Sequence, residues 1–209
     1  MLTGLLIMLA MEIFVNIPLS SAHISSPSVF AAGELILITF AVLVASRNRV
    51  ATIAVIISLV AALIGSLMRM KNPTQFNILL GASCSVIFMA ALGMAVWGAV
   101  FGSGRVTHHR IQGAIVLYLL IALAFATLYK ILITLIPDAI FPAIVGIDRI
   151  VVGSHLVYFS LVTLTSTGYG DIVPLHPIAR SLANLESVIG QLYPATLLVR
   201  IMTLHLNDT

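Results

Sequence analysis

Six apolar stretches, each close to the length of a bilayer crossing, take up most of this chain. They run over about residues 2–19, 29–46, 50–68, 76–101, 111–136 and 181–205. A helix needs roughly 20 predominantly apolar residues to cross the hydrocarbon core. Lipid gives backbone N–H and C=O groups no partner, so such a stretch satisfies them internally as a helix. Pro18, Pro27, Pro73 and Pro137 fall at or near segment ends, where proline disturbs a helix least. Composition agrees: 60% of the 209 residues are hydrophobic and 8% are charged, against about 25% charged in a soluble domain. The expectation is an all-α integral membrane protein with six transmembrane helices.

Several function classes drop out early. A net charge of +3 is too small to suggest a nucleic-acid partner. The single Cys84 sits in an apolar run and reads as a small core residue, with no disulfide possible inside one chain. No metal-ligand cluster, phosphate-cradling glycine loop or nucleophile–base pair is visible. The chain does not read as an enzyme, and no organic cofactor is expected.

Between the fifth and sixth stretches lie Thr165, Ser166, Thr167, Gly168, Tyr169, Gly170 and Asp171. Glycine tolerates φ > 0, so paired glycines let successive backbone carbonyls point to one side. A row of such carbonyls can replace the water shell of a dehydrated cation. A bare Gly-Tyr-Gly turn would be the plainer reading. The context argues against it, because a short apolar stretch, 154–165, runs directly into the motif and a membrane-length segment follows. T-S-T-G-Y-G-D resembles the selectivity filter of potassium channels, commonly T-V-G-Y-G-D. The order of helix, short helix, loop and helix resembles the pore module of the potassium channel superfamily, over about residues 111–206.

That resemblance implies a region 1–104 of four helices and a pore domain 105–209. The pore domain has an outer helix 111–136, a re-entrant pore helix 154–165, a filter 166–170 and an inner helix 181–205. Backbone oxygens of Ser166, Thr167, Gly168 and Tyr169, with the Ser166 hydroxyl innermost, would hold K⁺, the one ion implied in the filter. Gly170 completes the strand. Asp171 would hydrogen-bond behind the filter at its outer mouth, and Thr165 precedes it. Tyr158 and Phe159 occupy positions where relatives often carry an aromatic pair bracing the filter. One chain supplies one strand and a ring needs four, so the resemblance implies a homotetramer in lipid.

Two departures stand out. Serine at 166 keeps the oxygen of the usual threonine but loses the methyl that restrains its rotamer. Thr167 replaces the usual valine or isoleucine. A weakly selective monovalent cation channel is therefore an alternative to a passive K⁺-selective one. A non-conducting modulatory membrane subunit is a second. Val162 stands where some relatives keep a glutamate behind the filter. In the inner helix, Gly190 and Pro194 read either as a gating hinge or as close packing with a static kink. Glu186, Gln191 and Arg200 are costly in lipid and so should face protein or water. Glu186 is expected to bond the pore helix or the back of the filter, with lining of the cavity as the alternative. Gln191 is expected to line the cavity, and Arg200 to sit at the cytoplasmic interface.

The family's filter loop enters from outside, which orients the chain. Arg47, Arg49, Arg105, His108, His109 and Arg110 then face the cytoplasm, and the 20–28 loop outside carries no Lys or Arg. This fits the positive-inside rule; Arg69 and Lys71 run against it, and a pairing of Arg69 with Glu34 would account for one of them. Both termini are expected in the cytoplasm, and the compact linkers point to a prokaryotic plasma membrane. Glu12 and Asn16 are costly for a membrane helix in the first stretch, so a signal peptide cleaved after Ala22 is an alternative, although a basic n-region is missing and the same two polar residues spoil its apolar core. The apolar run 139–147 is expected to pack on the outer ends of the helices, and Trp97 to anchor at the cytoplasmic interface. The fourth stretch contains no Lys or Arg, so conventional voltage sensing lacks its charges. His108 and His109, on the linker before the outer helix, are candidates for a pH response, and His155 and His176 are weaker ones. No nucleotide- or calcium-binding domain is expected after the inner helix.

Overall fold

The computed structural model describes residues 2–22, 52–53, 56–57, 60–61, 74–101, 108–141 and 149–206. The expected spans 29–46 and 50–68 fall largely outside the described residues. So do Glu34, Arg47, Arg49, Arg69, Lys71, Arg105 and the stretch 142–148.

The first stretch is helical. Helix α1 (Leu2–Met11) passes through a π-helical turn (Glu12–Asn16) into α2 (Ile17–Ser21). Pro18 explains the turn: it has no N–H, and its ring crowds the carbonyl four residues back. The helix widens before it, and the Ile17 N–H reaches back five residues to the Glu12 carbonyl. The proline is thus absorbed without ending the helix, which runs on to Ser21 and closes with Ala22 N–H donating to the Pro18 carbonyl at 3.0 Å. Glu12 is turned inward, 6% exposed, and accepts from Asn16 Nδ2 at 2.9 Å. Leu5, Leu9 and Ile13, one helical face, pack into the core with Leu92, Val96 and Leu117.

Helix α3 (Gln75–Phe101) starts at Thr74, whose hydroxyl accepts from the Asn77 N–H at 3.4 Å as an N-cap. Trp97 is exposed and stacks on Phe101 at 4.0 Å. Helix α4 (His108–Leu135) begins three residues before the expected 111, so His108 and His109 form its exposed first turn and not a linker. At about 1.5 Å per residue it is ~42 Å long. It runs antiparallel to α3. Near its start, a Cβ on Gly113 would stand 2.6 Å from a Val100 methyl, and further along Thr127 Oγ1 meets Met89 Sδ at 3.9 Å. Thr3 Oγ1 donates to Gln112 Oε1 at 2.7 Å, which puts the starts of α1 and α4 at one end of the bundle.

After α4 come β1 (Ile140–Phe141), α5 (Arg149–Leu164), β2 (Val173–Pro174) and α6 (Pro177–Leu206). Helix α4 is the central post, in contact with α1, α3, α5 and α6. Among the described residues, three helical stretches are long and apolar enough to cross a membrane: Leu2–Leu19, Gln75–Gly98 and His108–Leu135. Helix α6, with 30 residues, is long enough but more polar. Arg180, Asn184, Glu186, Gln191 and Arg200 dilute its apolar character.

Candidate cation-binding site

The loop Thr165–Ile172 is held between two helices and a short ladder. β1 and β2 pair antiparallel, Ile140 with Pro174 and Phe141 with Val173. The N–H groups of Leu175 and His176 both donate to the Ala139 carbonyl, at 2.9 and 3.2 Å. Ala139 and Ile140 are buried, as expected for the start of the apolar run 139–147. The chain therefore comes back to the end of α4 that it left before α5. Helix α5 is longer at its start than the expected 154–165, because Ile150, Val151 and Val152 extend the apolar run and the Ser154 hydroxyl folds back on the Val151 carbonyl at 2.9 Å. Pro177 sits at the first position of α6, where its missing N–H costs nothing. His176 Nδ1 accepts from the Ile178 N–H at 3.3 Å and caps that helix, so α6 begins four residues before the expected 181.

The last four carbonyls of a helix lack intrahelical donors. In α5 each has found one, and together they shape the loop. Leu161 O accepts from the Thr165 N–H at 3.0 Å and the Thr165 hydroxyl at 2.7 Å. Val162 O accepts from the N–H groups of Thr167 and Gly168, at 2.9 and 3.4 Å. Thr163 O accepts from the Ser166 N–H at 3.0 Å and the Ser187 hydroxyl at 3.2 Å. Leu164 O accepts from the Tyr118 hydroxyl at 3.2 Å.

These bonds orient the loop backbone. In a trans peptide the N–H and the preceding C=O point opposite ways. The N–H groups of Thr167 and Gly168 point back at Val162, so the carbonyls of Ser166 and Thr167 point away from α5. Positive φ recurs at every second residue: Ser166 at 56°, Gly168 at 58° and Gly170 at 81°, with Thr167 and Tyr169 on the other side of the map. Alternating hands turn successive peptides the same way, which makes a strand with its amides on one face and its carbonyls on the other. Glycine takes the left-handed region freely. Serine does so at a cost of about 1–2 kcal/mol, offset by the bonds that hold it.

The flanks are polar and tied down. Tyr158 donates to Asp171 Oδ2 at 2.8 Å, Ile172 N–H donates to Asp171 Oδ1 at 3.0 Å, and the Tyr158 and Tyr169 rings lie parallel 6.3 Å apart. The hydroxyls of Thr165 and Thr167 share a hydrogen bond of 2.8 Å. Of the expected aromatic pair, Tyr158 bonds and stacks with loop residues. Phe159 is buried and packs edge-on against Tyr129, centroids 4.8 Å apart.

Glu186 lies behind this frame, fully buried. Tyr129 donates to its Oε2 at 2.7 Å, and the Ser160 hydroxyl lies against both its Oε1 and the Ala122 carbonyl, 2.7 Å from the latter. One carboxyl thus joins α4, α5 and α6. It contacts α5 through Ser160, one of the positions expected for it. Gly190 packs under the end of α5: a Cβ there would stand 2.8 Å from the Leu164 carbonyl carbon and closer still to its oxygen. Close packing at Gly190 is therefore a fact of the fold. Pro194 lies inside α6 and deprives the Gly190 carbonyl of its helical N–H donor. Gln191 Nε2 donates to Ser166 Oγ at 2.8 Å. Arg200 falls within α6.

Ser166 to Asp171, Tyr158, Thr165 and Gln191 thus come together at one locus, and Glu186 and Phe159 stand behind it. Tyr118, Tyr129, Ser160 and Ser187 join the frame with no motif to mark them in the sequence. A buried carboxyl in an apolar segment does signal that donors must exist on neighbouring helices. Nothing in spacing says which. Among the described residues, no three His, Cys, Asp or Glu side chains gather as a metal site. Any cation held at this loop would meet backbone and hydroxyl oxygens.

Residues 114–205 match the model of a family described as "Ion channel". Protein LctB of Bacillus caldotenax is 35% identical over 86 residues, 40% of this chain and 63% of LctB. The chain thus spans less than two thirds of that curated relative. No solved structure matches. The matched span covers α4 almost whole, the α5 loop and α6, the elements that build the site. The match supports an ion channel, and with the apolar helices it supports a multi-pass membrane protein.

Proposed function

We propose that this protein is a passive K⁺-selective channel whose pore is formed by four copies of the chain around one axis. The observation that carries this reading is the alternating backbone of Ser166 to Gly170, with φ of 56°, 58° and 81° at Ser166, Gly168 and Gly170. The N–H groups of Thr167 and Gly168 are tied back to Val162, which turns the carbonyls of Ser166 and Thr167 to the free face. Dehydration of K⁺ needs several such oxygens around the ion at once, and a single strand supplies one side only. All residues from Thr165 to Gly170 are exposed in the single chain, as a strand meant to meet three others would be. Helix α6 also exposes Leu185, Val188 and Leu192, an apolar stripe suited to neighbouring copies or lipid.

In this reading 105–209 is the pore domain and 1–104 precedes it. Helix α4 is the outer helix, α5 the pore helix and α6 the inner helix. Ser166, Thr167, Gly168 and Tyr169 hold K⁺, and Asp171 and Tyr158 brace the outer mouth. Both termini lie in the cytoplasm of a prokaryotic cell, and Gly190 and Pro194 form the bend at which α6 opens. The second reading, a weakly selective cation channel, draws on Ser166 and Thr167. A silent subunit is the third.

Flux into liposomes containing the purified protein tests the three. Barium-sensitive K⁺ flux with little Na⁺ flux is the expected result. Equal fluxes would favour the weakly selective reading. Absence of flux, together with a detergent-solubilised chain that is not tetrameric, would favour the silent subunit.

A further inference from the structure

Ser187, Gly190 and Gln191 lie three and one residues apart, on one face of α6. That face runs along the end of α5 and into the loop. Ser187 donates to the Thr163 carbonyl at 3.2 Å. Gly190 presses against the Leu164 carbonyl, an approach any side chain would forbid. The closeness granted at Gly190 brings the next residue within reach, and Gln191 Nε2 donates to Ser166 Oγ at 2.8 Å. Both side chains are exposed in the single chain, on the open side of the loop.

A serine hydroxyl has one donor and two lone pairs, and it rotates to suit its partners. Threonine at this place would be stiffened at χ1 by its methyl. Ser166 has no methyl, but it has an amide on one lone pair. The second lone pair is then left in a defined direction. We propose that Gln191 is a specificity-determining residue of the pore: its amide fixes the Ser166 hydroxyl so that this innermost oxygen meets a cation in one geometry, as a threonine would. The proposal rests on the channel reading and assigns a role to a residue outside the filter loop. It also removes the reason for expecting Ser166 to loosen the filter.

Barium and K⁺ binding to the full chain in detergent, followed by calorimetry, tests it without needing an open gate. Gln191→Leu should weaken barium binding by at least about tenfold, the scale of losing a single net polar contact. Ser166→Ala should weaken it too, and adding Gln191→Leu to Ser166→Ala should change nothing more, because the pair acts as one unit. Ser166→Thr in the Gln191→Leu background should restore binding. In liposomes, Gln191→Leu should raise the ratio of Na⁺ to K⁺ flux. Gln191→Asn, one methylene shorter and still polar, carries the same expectations if the leucine variant fails to assemble. Unchanged binding in Gln191→Leu, or an equal loss with Ser166 already removed, overturns the proposal and leaves the channel reading standing. A wild-type chain that binds neither ion overturns both.

Discussion

Ser166 holds the left-handed backbone that Gly168 and Gly170 adopt without steric cost. The two glycines were legible in the sequence, since glycine is the residue for φ > 0. The serine was not, because what holds it comes from elsewhere: Thr163 O accepts its N–H and Gln191 donates to its hydroxyl. Gly168→Ala places a Cβ on a backbone at φ 58°, at about 1–2 kcal/mol in each copy. There is open space around that Cβ, so the fold should survive. K⁺ flux is expected to fall at least about tenfold with helical circular dichroism unchanged. Flux at the wild-type level would detach the alternating backbone from conduction. Tyr158→Phe removes the 2.8 Å bond to Asp171 on an exposed surface. Its cost is about 1 kcal/mol or less, and it should appear as K⁺ flux that decays faster, not as unfolding. A wild-type decay would show that Tyr158 does not brace the outer mouth.

Helices were the legible elements, because length and apolarity alone specify them in lipid. Their ends were less so. Helix α5 gained Arg149–Gly153 and α6 gained Pro177–Arg180 over expectation, through a serine back-bond and a histidine cap that no periodicity encodes. The π-helical turn before Pro18 was also hidden, since a proline in sequence signals an end more readily than a detour. How the elements lock was hidden for another reason: the joints are single polar groups in contact over long separations. Tyr129 and Glu186 are 57 residues apart, and Tyr118 and Leu164 are 46. Tyr129→Phe leaves a buried carboxyl oxygen without its donor, so thermal unfolding in detergent should report a loss of about 1–3 kcal/mol. Gly190→Ala drives a methyl into the Leu164 carbonyl, an overpacking expected to cost about 1–3 kcal/mol or more. Unchanged melting of Gly190→Ala would mean that α6 can stand off from α5, and the reach of Gln191 would then lose its basis.

Across the whole molecule, the elements that build the site are those the family match covers, while the preceding helices add a different kind of information. Helix α3 is 27 residues long and carries no Lys or Arg. One elementary charge moved through the field is worth about 2.3 kcal/mol per 100 mV, or about fiftyfold in an equilibrium constant. K⁺ flux through the wild-type pore should therefore change only a few-fold between imposed potentials about 100 mV apart, after correction for driving force. A change of about fiftyfold or more would place gating charge elsewhere in the chain. The central claim is that the free face of Ser166 to Tyr169 strips and holds a cation when four chains meet. Anomalous scattering from crystals of the full chain grown in rubidium addresses it directly. The expected result is a row of rubidium peaks on a fourfold axis, level with the carbonyls of Ser166, Thr167, Gly168 and Tyr169. A loop without peaks on such an axis, or a chain that assembles without one, would contradict it.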